Sequence, residues 1–288
     1  MCNKHGQQNP WRTIKTLRKV ERNFSGFHYT YERVKSQNCL NLVESQYWLN
    51  DESVVHIAEP MVIRANEAGD IEWRHKTDES ILEENSDVDY ETKLGLFHSS
   101  NYGEFGGELI LPSGDSIGGN FVRVFDYKEK VYAIDSLRHM SLGHFKLYEF
   151  STSTKYSCLY DVGDYLSLRR SESLKFQAIY FTDDAMYILL DGDVGISPYD
   201  CDDSTPVWIS RLLFVQNGKV EECLEIKERF FAIENIIVQE SILYIAADKI
   251  LAIVNIENGE KSFYTFVKNK AENNLYYGEN KISSYFGL

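Results

Sequence analysis

The 288-residue sequence predicts an all-β fold, a β-propeller-like ring of four-stranded meanders, about five or six in number. Three observations lead there. Residues 230–267 hold four short apolar runs, 232–238, 242–247, 250–255 and 262–267, separated by the polar turns Gln239-Glu240, Asp248-Lys249 and Asn258-Gly259. The same plan of strand, turn, strand, loop, strand, turn, strand recurs in 121–162 and 175–226, and a Tyr on the second strand recurs with it. Tyr132, Tyr187 and Tyr244 stand 55 and 57 residues apart. The runs are rich in Ile, Val, Tyr and Phe and nearly continuous in apolarity, as befits sheets covered on both faces. A β-sandwich with coincidental spacing is the alternative architecture.

Taken in order, the elements begin with a basic N-terminal helical segment, 1–24, followed by a single propeller-like domain, 25–288. Within the first segment the expected helix covers 9–24. Asn9 can cap it, Pro10 suits its first turn, and Trp11, Ile14, Leu17 and Val20 recur every three residues on one face. Its other face is basic. Between it and residue 120 the strand-like runs are 54–58, 61–65, 71–74, 94–98 and 108–111, with turn signals at Ala68-Gly69-Asp70 and Pro112-Ser113-Gly114. The three clear meanders follow, and the run 281–286 is placed to add a strand to the first blade and close the ring.

Composition narrows the class. Thirty-nine aromatic residues and 23 Gly plus Pro exclude a disordered or collagen-like chain, and no apolar run reaches the length of a membrane helix. Five cysteines stand far apart with no CxxC pair, which reads as reduced thiols. The first 20 residues carry no acid but lack the apolar core and cleavage site of a secretory signal. Together these predict a cytoplasmic protein. The net charge of −14 opposes direct nucleic-acid binding, which needs a basic face.

No GxGxxG, GxxxxGK[ST], HExxH, GxSxG or complete EF-hand loop occurs, so no cofactor or catalytic residue is assigned. The Gly-rich stretch 103–109, GEFGGEL, precedes a strand rather than a helix and reads as a tight turn or bulge. His98, Ser99 and Ser100 read as a loop after a strand, with no visible acid to complete a triad. His139 and His144 share an expected loop. Two acidic clusters dominate the charge map: 77–92, with seven acids, and 183–203, with seven more and no Lys or Arg from Phe176 to Ser210. Concentrated like charge calls for an outside counter-charge. The residues expected to meet it are Asp191, Asp193, Tyr199, Asp200, Asp202 and Asp203 in one loop, and Glu83, Glu84, Asp87 and Asp89 in the other cluster. Asp191, Asp193, Asp200 and Asp202 lack the spacing of a calcium loop, and no metal is assigned.

GEFGGEL at 103–109 followed by three blade-like meanders resembles bacterial propeller-like immunity proteins of contact-dependent inhibition and related polymorphic toxin systems. The resemblance spans roughly 90–267. It implies a cytoplasmic, non-catalytic inhibitor that binds one cognate protein toxin, often a nuclease. The acidic contact residues follow from the charge layout and not from the resemblance. The rival function is a propeller-type glycosidase or lyase working through paired carboxylates.

Overall fold

The computed structural model describes residues 11–20, 61–76, 87–139, 142–162, 172–194, 207–227, 230, 233–247 and 250–265. It is all-β. Two short strands open it, β1 (Arg12–Thr13) and β2 (Arg18–Val20), joined by a 3₁₀ turn at Ile14–Thr16. Then come β3 (Met61–Ala65), β4 (Ile71–His75), β5 (Val88–Thr92), β6 (Gly95–Asn101), β7 (Gly107–Ile110) and β8 (Ser116–Gly118). The central strands are β9 (Phe121–Tyr127), β10 (Lys130–His139), β11 (Leu142–Phe150), β12 (Tyr156–Val162), β13 (Ser173–Phe181), β14 (Met186–Val194), β15 (Val207–Gln216) and β16 (Lys219–Ile226). The last are β17 (Asn235–Gln239), β18 (Ile242–Ala247), β19 (Ile250–Asn255) and β20 (Lys261–Thr265). The runs expected at 54–58 and 281–286 lie outside the described residues.

The strands form five antiparallel sheets. Sheet I is ordered β1-β4-β3, sheet II β5-β6-β7-β8, sheet III β9-β10-β11-β12, sheet IV β13-β14-β15-β16, and sheet V β17-β18-β19-β20-β2. Tyr132, Tyr187 and Tyr244 fall on β10, β14 and β18, each the second strand of its sheet, as the repeat requires.

Of the expected N-terminal helix 9–24, residues 9–10 and 21–24 lie outside the described residues, and 11–20 form two strands instead. Trp11, Ile14 and Leu17 recur at a spacing that fits a helical face, but the chain spends them differently. Leu17 is buried among Met61, Ile63, Trp73 and Ile237, and Trp73 Nε1 donates to Thr16 Oγ1 at 3.0 Å. The flanking short strands then pair as edges, Arg12 opposite Trp73 in sheet I and Lys19 opposite Tyr264 in sheet V. Tertiary pairing overrides the local pattern, because an edge strand gains ladder hydrogen bonds that a solvated short helix lacks. The result ties sheet I to sheet V.

Core packing explains the continuous apolar runs. Side chains alternate across a strand, so a sheet between two others needs apolar residues at every position. On β14, Ile188 and Leu190 pack toward sheet III, while Leu189 packs toward sheet V. On β10, Ile134 faces sheet IV and Ala133 faces sheet II. On β18, Ile245 faces sheet IV and Ala246 faces sheet I. Each large side chain so buried contributes about 2 kcal/mol. Four apolar clusters therefore stack the sheets in the series II, III, IV, V, I. Among the described residues no fifth cluster joins sheet I to sheet II.

The two ends of the sheets differ in kind. At one end, hairpins of two to five residues join first to second and third to fourth strands. Lys128, Asn217 and Glu240 take left-handed backbone conformations in three of these turns. The turns of adjacent sheets are bonded together, Lys93 N to Asp126 Oδ2 at 3.2 Å, Tyr127 OH to Thr182 O at 3.0 Å and Gln239 Nε2 to Gly69 O at 3.0 Å. At the other end lie the connections from second to third strand and from sheet to sheet, and a second set of links joins adjacent sheets there: Asn120 Nδ2 to Asn101 Oδ1 at 3.0 Å, Phe176 N to Ser136 Oγ at 2.8 Å, and Lys76 Nζ to Glu234 Oε2 at 2.6 Å.

Candidate functional site

The loop end of sheets II and III carries a braced, protruding loop. Residues 102–106 leave β6 as a 3₁₀ turn and enter β7. Tyr102 N donates to Gly106 O at 2.8 Å, Gly106 N to Gly103 O at 3.0 Å, and Gly103 N to Asn101 Oδ1 at 2.9 Å. Gly106 sits at φ 92°, a conformation that L side chains rarely adopt, and a Cβ on Gly107 would collide with the carbonyl oxygen of Ser100. The glycines of GEFGGEL thus serve a close turn against β6, in keeping with the tight turn expected from sequence.

A buried polar network holds this loop from beneath. Asn120 is 4% exposed, and its side-chain amide and both backbone polar groups are bonded. Its Nδ2 donates to Asn101 Oδ1 at 3.0 Å, Gly103 O at 2.7 Å and Gly106 O at 3.1 Å. Its backbone N–H donates to Asp135 Oδ1 at 2.7 Å, and its carbonyl accepts from Ser136 N at 2.9 Å. Asp135, 3% exposed, also lies 2.7 Å from His144 Nε2, and the tautomer with its proton on Nε2 donates to it. His144 is therefore a strand residue of β11 with a carboxylate partner, and His139 ends β10. Buried polar groups so fully satisfied specify one arrangement.

The loop's apex is apolar and uncovered. Phe105 is 85% exposed and Tyr102 60%. Val88, opening β5, and Val122, near the start of β9, are exposed at the same end. Beside them stand Asp87 and Asp89, both exposed, and the half-buried Glu108. Arg123 is in the same region, its guanidinium 5.7 Å from the ring of Phe125.

His98, Ser99 and Ser100 lie in β6 and not in a loop, and His98 has an acid after all. Asp89 is its cross-strand neighbour, with Oδ1 2.7 Å from Nδ1. Hydrogen bonding to Asp89 raises the proton affinity of His98, a slight loss of solvent opposes it, and Asp87 and Glu108 add to the rise. Ser100 Oγ lies 3.5 Å from Nε2, so the contacts run in the order acid, base, hydroxyl. They do not make a nucleophile: Ser100 is 6% exposed, and the N–H groups that follow it are committed, Tyr102 N to Gly106 O and Gly103 N to Asn101 Oδ1.

Among the described residues, the acids of the cluster 183–203 do not share one surface. Asp183 and Asp184 sit at the turn end, before β14, whereas Asp191 lies seven residues on, roughly 23 Å along the strand. Asp191 and Asp193 belong to β14 rather than to a loop. Asp191 is 3% exposed and accepts from Ser210 Oγ at 3.0 Å, which removes it from the outer surface. Tyr199, Asp200, Asp202, Asp203, Glu83 and Glu84 lie outside the described residues. Asp87 and Asp89, from the other cluster, are at the surface of sheet II.

At the seam between sheets III and IV, Arg211 is enclosed by acids. Its guanidinium meets Glu172 through both Nη atoms, at 2.5 and 2.9 Å, and reaches Glu222 at 3.4 Å and Glu225 at 3.3 Å. Burial works against its charge, and Glu172 and Tyr160 outweigh that, holding it protonated. Tyr160 donates to Glu222 at 2.6 Å, and burial first, then that bond, push its phenol up to about 12. This ion cluster locks two sheets together. Among the described residues no group of His, Cys, Asp and Glu is arranged to hold a metal ion, and no helix is long and apolar enough to cross a membrane.

Sequence reasoning missed Asn120, Asp135 and Phe105. The glycine pattern around Phe105 was the available signal; nothing local marks Asn120 or Asp135, whose roles come from sheet packing. No protein-family model matches the chain, and no curated protein matches it.

Proposed function

We propose that this chain is a non-catalytic inhibitor that binds a basic protein, in the manner of an immunity protein neutralising a cognate toxin of nuclease type. One observation carries the reading. Residues 87–118, which make up sheet II and its connections, contain six acids and one base, Lys93, and Asp87, Asp89 and Glu91 stand exposed on β5 and just before it. Such a face raises the local concentration of a basic partner and speeds its association. A nuclease cleft is basic because it holds phosphate, so an acidic face fits it. The ring of a propeller belongs to the same proposal, with the N-terminal strands joining sheets V and I.

Affinity capture with the full chain as bait, in low and in high salt, tests this. One stoichiometric basic protein, released faster as salt rises, supports the reading. Recovery of no protein, or of acidic proteins alone, overturns it and turns the work to carbohydrate ligands.

A further inference from the structure

We infer that the loop Tyr102–Gly106 is the anchor of this interface, inserting Phe105 into an apolar pocket ringed by Lys or Arg on the partner protein; the inference rests on the function proposed above. Of the seven large apolar side chains that stand exposed among the described residues, four (Val88, Tyr102, Phe105 and Val122) gather at the loop end of sheets II and III. The other three, Leu96, Tyr156 and Phe181, are at the turn end. A cluster of this sort, fringed by polar residues, marks a contact surface, and aromatic residues dominate the binding energy of such surfaces.

Rigidity is the second argument. An exposed Phe on a loose loop loses freedom on binding, which subtracts from affinity. Here the three bonds from Asn120 Nδ2, and the bond from its N–H to Asp135, hold the loop in one shape before any partner arrives. Phe105 itself makes no ring contact that folding needs, at 85% exposure. A fold that braces a loop from its core and leaves the apex bare has prepared that apex for something outside.

Charge defines the pocket. Asp87 and Asp89 stand exposed at the loop end of sheet II, Asp89 bonds His98, and Glu108 pairs with Ser100 next to the loop; with Arg123 the exposed base there, the rim facing the partner is predominantly acidic. The fitting partner surface is therefore apolar at its centre and basic at its edge, and an acidic or uniformly polar surface does not fit.

The test replaces Phe105 with Ala in the full chain, with Lys128→Ala at the turn end as control. The partner captured by the wild-type chain is purified, and its dissociation constant is measured for each variant. Phe105→Ala is expected to weaken binding about 30-fold or more, and Lys128→Ala less than about twofold. Asn120→Ser, which keeps Phe105 but unbraces it, is expected to weaken binding several-fold. A benzoylphenylalanine at 105 is expected to crosslink to an apolar segment of the partner flanked by Lys or Arg. Retention of full affinity by Phe105→Ala, or crosslinks to an acidic segment, overturns the anchor while leaving the inhibitor standing. Failure of the wild-type chain to capture any protein overturns both.

Discussion

Replacing Asn120 with Asp tests the brace beneath the loop with no change in side-chain volume, so packing cancels and only hydrogen bonding changes. The Nδ2 atom donates to three oxygens, those of Asn101, Gly103 and Gly106. In the variant an oxygen faces these three acceptors. The amide has two hydrogens for these three oxygens, one of them shared, so about two bonds are lost; at about 1 kcal/mol net for each, destabilisation is about 2 kcal/mol at neutral pH, a large share of the 5 to 15 kcal/mol typical of a domain. The new carboxyl is also buried beside Asp135, which raises its folded pKa above the ordinary value of about 3.9. The sign follows: the unfolded chain then releases its proton at lower pH than the folded one, so stability falls as pH rises from about 4 through the raised folded value. In acid the protonated group donates one bond back, and the deficit shrinks. Asn120→Ala carries no such group and keeps a constant deficit. Urea unfolding followed by circular dichroism between pH 4 and 8 reads both, with an unchanged slope confirming that only stability moved. An Asp variant within about 0.5 kcal/mol of wild type, or a deficit independent of pH, refutes the role assigned to Asn120.

Three other outcomes are expected. Leu189→Ala, at a fully buried position between sheets IV and V, lowers unfolding free energy by about 3 kcal/mol in the same assay; a loss below about 1 kcal/mol means that the sheets do not pack there. Arg211→Met leaves Glu172, Glu222 and Glu225 together without their shared cation and costs about 2 kcal/mol, discounted because the last two are half exposed; the loss is eased by adding salt, and a loss indifferent to salt speaks against the ion cluster. The His98–Asp89 pair stabilises the fold below pH about 6.5, where the unfolded imidazole is also protonated, and loses that contribution as pH rises through the raised folded value. Thermal midpoints of wild type and Asp89→Asn therefore differ most in mild acid and converge above neutrality, and a gap that widens with pH contradicts the assignment.

Part of the site is legible in the amino-acid sequence. The acidic run ending in Asp87, Asp89 and Glu91 does reach the surface, because alternation in a half-covered strand leaves charged positions outside. The run 183–203 does not behave as a unit, because a strand crosses it: acids close in sequence are carried to opposite ends of sheet IV, and one of them is buried. Density of charge along a chain says nothing of depth. His98 looks isolated in the sequence because its acid is nine residues away, across a hairpin whose register sets them side by side.

Sequence alone determined the all-β class, the three meanders and the Tyr on each second strand, since these depend on local turn chemistry and on apolar runs that no other element accommodates. It determined too that GEFGGEL is a tight turn, because those glycines serve backbone shapes that local sequence dictates. Tertiary structure alone decided that Arg12–Thr13 and Arg18–Val20 form strands, that Asp191 is buried, and that Asn120, reaching from the start of sheet III, braces the loop presenting Phe105. Each of these depends on which distant strand lies alongside, and pairing between remote segments is chosen by the packing of whole sheets, which leaves no periodic trace in either partner.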